Sequence, residues 1–210
     1  MESLLTSLDK IIDIWQQDRE DLIELIQAGL SVQDIQGYIA NLPFQLPQEV
    51  YQLYHWRNGI QIPEFHDISL DFIPGFWFLP LAETLKGYEH VREFKNNCTF
   101  LQDEAYHRPW FPILSSDLGY FLVLGDKNMC ISSPVFFLSW NSGDLIFEAR
   151  YPSLTRMMTV IAECYESGAY YFETKVMDQF GTIVEFLEED PQEVSRIRVV
   201  HQRSVGLLNR

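Results

Sequence analysis

Five histidines, His55, His66, His90, His107 and His201, are the side chains of this 210-residue sequence best suited to move a proton near neutral pH. None stands in an H-E-x-x-H zinc motif, and no two are paired at helical spacing. Glu104 and His107 form one E-x-x-H, whereas a carboxylate-bridged two-metal centre needs two such pairs and two further glutamates. Ser115-Ser116-Asp117 would present a hydroxyl at a strand end, yet there is no G-x-S-x-G elbow around it, and a hydrogen-bonded turn is the expected role. Glu188-Glu189-Asp190 has the residue types for paired-acid glycoside cleavage, but adjacent carboxylates just before a helix start are expected to serve the helix dipole. Gly125-Asp126-Lys127-Asn128 lacks the order and glycine count of a phosphate loop and reads as a turn. The row His55-Trp56-Arg57-Asn58 falls at the end of a helix, where its members are expected to cap rather than catalyse. No catalytic residue, metal site or cofactor is therefore expected. The polar side chains are read as dispersed, shaping turns and keeping the exterior wet.

The elements around these residues follow from periodicity. Leu4, Leu5, Leu8, Ile11, Ile12 and Trp15 recur at helical spacing, Leu22 to Ile26 give a second short helix stopping near Gly29, and Ser31 with Asp34 forms a capping box for a helix burying Val32, Ile35 and Ile39. Pro47 suits a first helical turn and Gly59 a left-handed helix end, with Val50, Leu53, Tyr54 and Arg57 on one side between them. Residues 60–80 read as an irregular loop with a short strand at Phe76–Leu79, followed by a helix from Ala82 to Asn96 that buries Leu85, Val91 and Phe94. Trp110–Leu114, Tyr120–Leu124, Val135–Trp140 and Leu145–Arg150 are aromatic or branched runs bounded by turn formers, the last two joined by Asn141-Ser142-Gly143 as a hairpin. A helix on Leu154, Met157, Met158, Ile161 and Tyr165 follows, then a weak strand at Gly181–Leu187 and a helix started by Asp190 and Pro191. Helices, strands and a helix in that order indicate an α+β fold.

Composition narrows the function classes. Hydrophobic residues at 47% and aromatics at 14% support a packed core. Thirty acidic residues against fifteen basic ones give a net charge of −15, which repels phosphate backbones, so no nucleic-acid partner is expected. A negative surface attracts basic proteins. No apolar run reaches the ~20 residues of a membrane span, and the acidic start is unlike a signal peptide, so no membrane partner and a cytoplasmic location are expected. Cys98, Cys130 and Cys164 have no C-x-x-C spacing and read as buried free thiols.

Four stretches in order resemble the SUKH superfamily of cell-wall-assembly regulators and toxin-immunity proteins. They are Leu46-Pro47 opening a helix that closes at Tyr54…Asn58-Gly59; Phe78-Leu79-Pro80-Leu81 before a helix; Trp110-Phe111-Pro112-Ile113 with Asp117-x-Gly119 and Tyr120–Asp126; and the apolar helix Leu154–Tyr165. The resemblance implies one SUKH-like α+β domain over residues 42–172, a central and mainly antiparallel sheet packed against helices, with a helical extension at 1–41 and an acidic-then-basic extension at 173–210. It also implies a non-enzymatic module that binds a protein partner, such as a basic toxin domain that it neutralises. The alternative is a regulatory domain for a small molecule or nucleotide, its pocket lined by the aromatic loops at 60–80 and 100–112. The expected contact residues are Phe76 and Trp77 after Pro74-Gly75, and Asp103, Glu104, Tyr106 and His107 before Trp110.

Overall fold

The computed structural model describes residues 2–62, 69–97, 108–117, 119–141, 144–176 and 183–203. Helix α1 (Leu4–Asp18) starts where the Ser3 hydroxyl accepts the Thr6 N–H at 3.2 Å. Its apolar stripe, from Leu4 to Trp15, is buried in the same core as the middle of the chain. Helix α2 (Glu20–Leu25) leads into strand β1 (Ile26–Ala28), and α3 (Val32–Ile39) carries the expected cap, with Asp34 N–H on the Ser31 hydroxyl at 3.1 Å. Ile35 and Ile39 are buried as expected, but Val32, on the same stripe at the first position of the helix, is 51% exposed.

Helix α4 (Gln48–Trp56) buries Val50, Leu53 and Tyr54 completely. The expectation that Gly59 closes it is corrected: Arg57 is already extended (φ −149°, ψ 146°), and residues Arg57–Ile60 form β2, antiparallel to β1 through Ile26↔Ile60 and Ala28↔Arg57. Gly59 does have φ +76°, but for a tight approach, since a Cβ there would lie 2.3 Å from the Leu79 carbonyl carbon. The stretch expected as a short strand at Phe76–Leu79 makes only isolated pairings, Ile73 with Phe76 and Trp77 with Ser115, because Pro74 and Pro80 bracket it and withhold donors.

Helix α5 (Leu81–Asn97) precedes a four-stranded antiparallel meander, β3 (Trp110–Ser116), β4 (Gly119–Leu124), β5 (Val135–Asn141) and β6 (Asp144–Tyr151), in that spatial order. Alternation divides its faces. Phe111, Phe121, Val123 and Val135 join the main core with α1 and α4, while Trp110, Tyr120, Leu122 and Leu138 form a second cluster with Val91 of α5. A register shift between Pro112 and Leu114 inserts an extra residue, so that both Ile113 and Leu114 enter the main core.

Helix α6 (Leu154–Glu166) covers the main face, and beyond it a hairpin of β7 (Tyr170–Val176) with β8 (Ile183–Glu189) and helix α7 (Pro191–Arg203) complete the described chain. Helices and antiparallel sheets in this arrangement make the fold α+β. Arg19 is 2% exposed, its guanidinium paired with Asp21 at 2.9 Å and lying 4.6 Å from the centre of the Phe172 ring, so one cation ties α2 to β7.

Two carboxyls near this tie shift in opposite directions. The hydrogen bond from Arg19 holds Asp21 below the ordinary carboxylate range, whereas burial pushes Asp71 up. Asp21 therefore contributes stability present above its unfolded pKa and lost as pH falls through its folded one. Asp71 contributes stability present below its unfolded pKa and lost as pH rises through its folded one. A carboxyl-detected NMR titration should show Asp71 titrating above 3.8 and Asp21 below it. The reverse order would contradict these contacts.

Candidate binding pocket and contact residues

The row His55–Asn58 acts as a set of staples. His55 Nδ1 lies 2.7 Å from the Leu30 carbonyl, Trp56 Nε1 donates to Asp9 at 2.8 Å, and Asn58 donates to Gln27 at 2.8 Å while accepting the Leu81 N–H at 3.0 Å. These bonds join α4 and β2 to α1, the β1 region and the start of α5. Glu49, in the first turn of α4 and nearly buried, accepts the N–H groups of Leu154 at 3.3 Å and Thr155 at 2.9 Å, and the Thr155 hydroxyl as well. A carboxylate thus sits on the positive end of α6, beside the Ser153 cap that takes the Arg156 N–H.

The other motifs are turns and caps. The Ser116 hydroxyl donates to the Gly119 carbonyl at 3.2 Å, and Asp126 accepts the Asn128 N–H at 3.4 Å. Asp190 accepts the N–H groups of Gln192 and Glu193 at 2.9 and 3.2 Å, opening α7. Among the described residues there is no group of three His, Cys, Asp or Glu side chains that could hold a metal ion. None of the described helices is long and apolar enough to cross a membrane.

The thiols differ from the expectation. Cys164 is fully buried, and burial pushes its thiol up to about 12, but Cys130 is only partly buried, and Cys98 lies outside the described residues. A thiolate is the nucleophile, so iodoacetamide at pH 8 should modify Cys130 and leave Cys164 intact until the fold is opened, as read by peptide mass spectrometry. Equal labelling of the two would contradict the packing.

Phe76 and Trp77 are both half-buried. Phe76 packs edge-on against Phe121 and Phe137, with ring centres 4.9 and 5.9 Å away, while the Trp77 backbone exchanges hydrogen bonds of 2.7 and 3.0 Å with Ser115. The remaining expected contact residues, Asp103, Glu104, Tyr106 and His107, lie outside the described residues.

Phe76 also forms part of a feature that the dispersed-polar expectation misses. A half-open cavity of about 150 Å³ is walled by Phe76, Phe121 and Phe137, with Arg150, Tyr151, Tyr170, Glu189 and Arg198 gathered around it. Arg150 is held over the Phe137 ring at 5.1 Å and paired with Glu148 at 2.5 Å. Tyr151 and Tyr170 are nearly buried, and burial raises both phenols above their ordinary value. The expectation fails here because β4, β5, β6, β7, β8 and α7 each supply only one or two of these residues, so no local motif announces them. The one sequence signal is in α7, where Arg198 and His201 fall in register with the buried Val194 and Ile197.

A search of curated proteins finds no match to this chain. The sequence model of the SMI1 / KNR4 family (SUKH-1) matches residues 29–149, a span from just before α3 to near the end of β6. That is more than half of the 210 residues, and it takes in the α4 staples, the start of α5 and the whole β3–β5 meander. The chain belongs to the SMI1 / KNR4 family (SUKH-1).

Proposed function

We propose that this protein works by binding another protein, as an immunity protein that neutralises a toxin or as a related regulator, without catalysing a reaction. Membership of the SUKH-1 family carries this reading. The net charge of −15 supports a basic partner, because an acidic surface speeds the encounter with a positively charged one. We assign Phe76 and Trp77 to the contact face, with Asp103, Glu104, Tyr106 and His107 as its polar part. On this reading residues 42–172 are the domain, residues 1–41 and 173–210 are additions to it, and the place of action is the cytoplasm.

The test is affinity purification from the native host, followed by assay of the captured protein's own activity with and without this one. The expected result is a basic partner whose activity is blocked, with an association rate that falls as salt is raised past the ~8 Å screening length of physiological buffer. Trp77→Ala should weaken the complex at least tenfold. Absence of any stoichiometric partner, or a partner bound without change in its activity, would contradict the neutralising role.

A further inference from the structure

The cavity beneath Phe76 combines features that a packing defect would not share. Its floor is aromatic, from Phe76, Phe121 and Phe137, and about 150 Å³ is the size of an apolar cavity that holds one benzene-sized molecule. Its rim brings two guanidiniums together in a strongly acidic chain, since Arg150 and Arg198 line it with one carboxylate, Glu189, and Arg150 is paired with Glu148 outside the lining. Arg198 Nε is buried and has no hydrogen-bond partner among the described residues, while the rest of the guanidinium is hydrogen-bonded to the Tyr151 hydroxyl and attracted by the Glu189 carboxylate. Buried donors in folded proteins are normally satisfied, so an orphan guanidinium N–H at a cavity wall marks a place for an acceptor. The hydroxyl-bearing rings of Tyr151 and Tyr170 line the same space, the Tyr151 hydroxyl bonded to Arg198 and the Tyr170 hydroxyl to the Cys164 thiol.

Charge selects the ligand class. The lining holds two guanidiniums and one carboxylate, and Glu148, paired with Arg150 from outside the lining, offsets part of that charge, so the site accepts at most a monoanion and disfavours a dianion beside Glu189. Arginine also presents paired N–H groups that fit a planar carboxylate. We propose that this pocket is a binding site for a small aryl or branched-chain carboxylate, its apolar body on Phe76, Phe121 and Phe137 and its carboxylate between Arg150 and Arg198. Five of the lining residues, Arg150, Tyr151, Tyr170, Glu189 and Arg198, lie beyond the family match, so the site is built by this chain's own C-terminal hairpin and helix closing on the family sheet. The site goes beyond the protein-binding reading and stands or falls without it.

Isothermal titration of the full chain with benzoate, isovalerate, phenyl phosphate, benzyl alcohol and inorganic phosphate tests the site. The expected result is saturable binding of benzoate or isovalerate, at least tenfold tighter than benzyl alcohol or either phosphate. Arg198→Met and Arg150→Gln should each weaken it at least tenfold, while Arg196→Gln, on an exposed position of α7 outside the pocket, should leave it unchanged. Should Arg198→Met fail to fold, the Nε–H resonance of Arg198 in the unaltered protein reads the same contact, and it should shift on adding benzoate. No saturable binding of either carboxylate, equal binding of benzyl alcohol, tighter binding of phenyl phosphate, or an Arg198 resonance that does not move would each overturn the proposal.

Discussion

Replacing Trp15 by alanine should lower the unfolding free energy by about 3–5 kcal/mol, the range for truncating a fully buried aromatic side chain. The ring is completely enclosed, with Phe72 at 5.6 Å and Tyr165 at 6.1 Å, both edge-on. Tyr165 is itself fixed by donating its hydroxyl to the Phe72 carbonyl at 3.0 Å, so the surrounding wall cannot collapse to fill the space. Urea unfolding followed by circular dichroism should show the midpoint falling with the slope unchanged. The result has a consequence for domain organisation, because α1 precedes the matched residues 29–149 yet shares one core with Leu53 of α4 and Met157 of α6. A loss below about 1 kcal/mol, outside the range for buried large-to-small changes, would mean that α1 is loosely docked.

The second large effect is expected at Glu49. Glu49→Ala leaves the Leu154 and Thr155 N–H groups without acceptors at a buried helix start, and unsatisfied buried groups of this kind cost about 1–3 kcal/mol each. A total near 3 kcal/mol, allowing for partial rescue by water, corresponds to a melting temperature lower by roughly 6–12 °C in a chain of this size. Glu49→Gln keeps an oxygen acceptor and should recover about half of the loss, on the order of 1.5 kcal/mol. Equal destabilisation by the two substitutions would show that the carboxylate works by charge alone.

The sequence carried the elements whose burial is local and periodic. The stripes of α1 and α6, the Ser31 and Asp190 caps, and the four meander strands all repeat at 3.6 or 2 residues, so neighbours in sequence reveal the buried face. Strand β7 was not apparent because Tyr170–Val176 mixes two aromatics with Glu173 and Lys175, and its pairing is set by Glu188 and Leu187 across the hairpin. The end of α4 was misplaced because β1 captures residues 57–60, a long-range pairing that overrides the glycine signal. Glu49 gave no sign of its role in a motif dominated by Leu46 and Pro47, since the N–H donors it accepts from lie more than a hundred residues away. The Arg150 and Arg198 pocket is the extreme case, in which β6, β7, β8 and α7, remote in sequence, each add one or two polar groups to an aromatic floor.

A contact-based mechanism differs from a catalytic one in stoichiometry, and that difference is directly measurable. Increasing amounts of this protein should be added to a fixed amount of its captured partner, with the partner's activity read after a constant interval. Binding predicts inhibition that rises in proportion and levels off near one equivalent, independent of the interval. Inactivation that continues with time at a small fraction of an equivalent would show turnover and contradict the account.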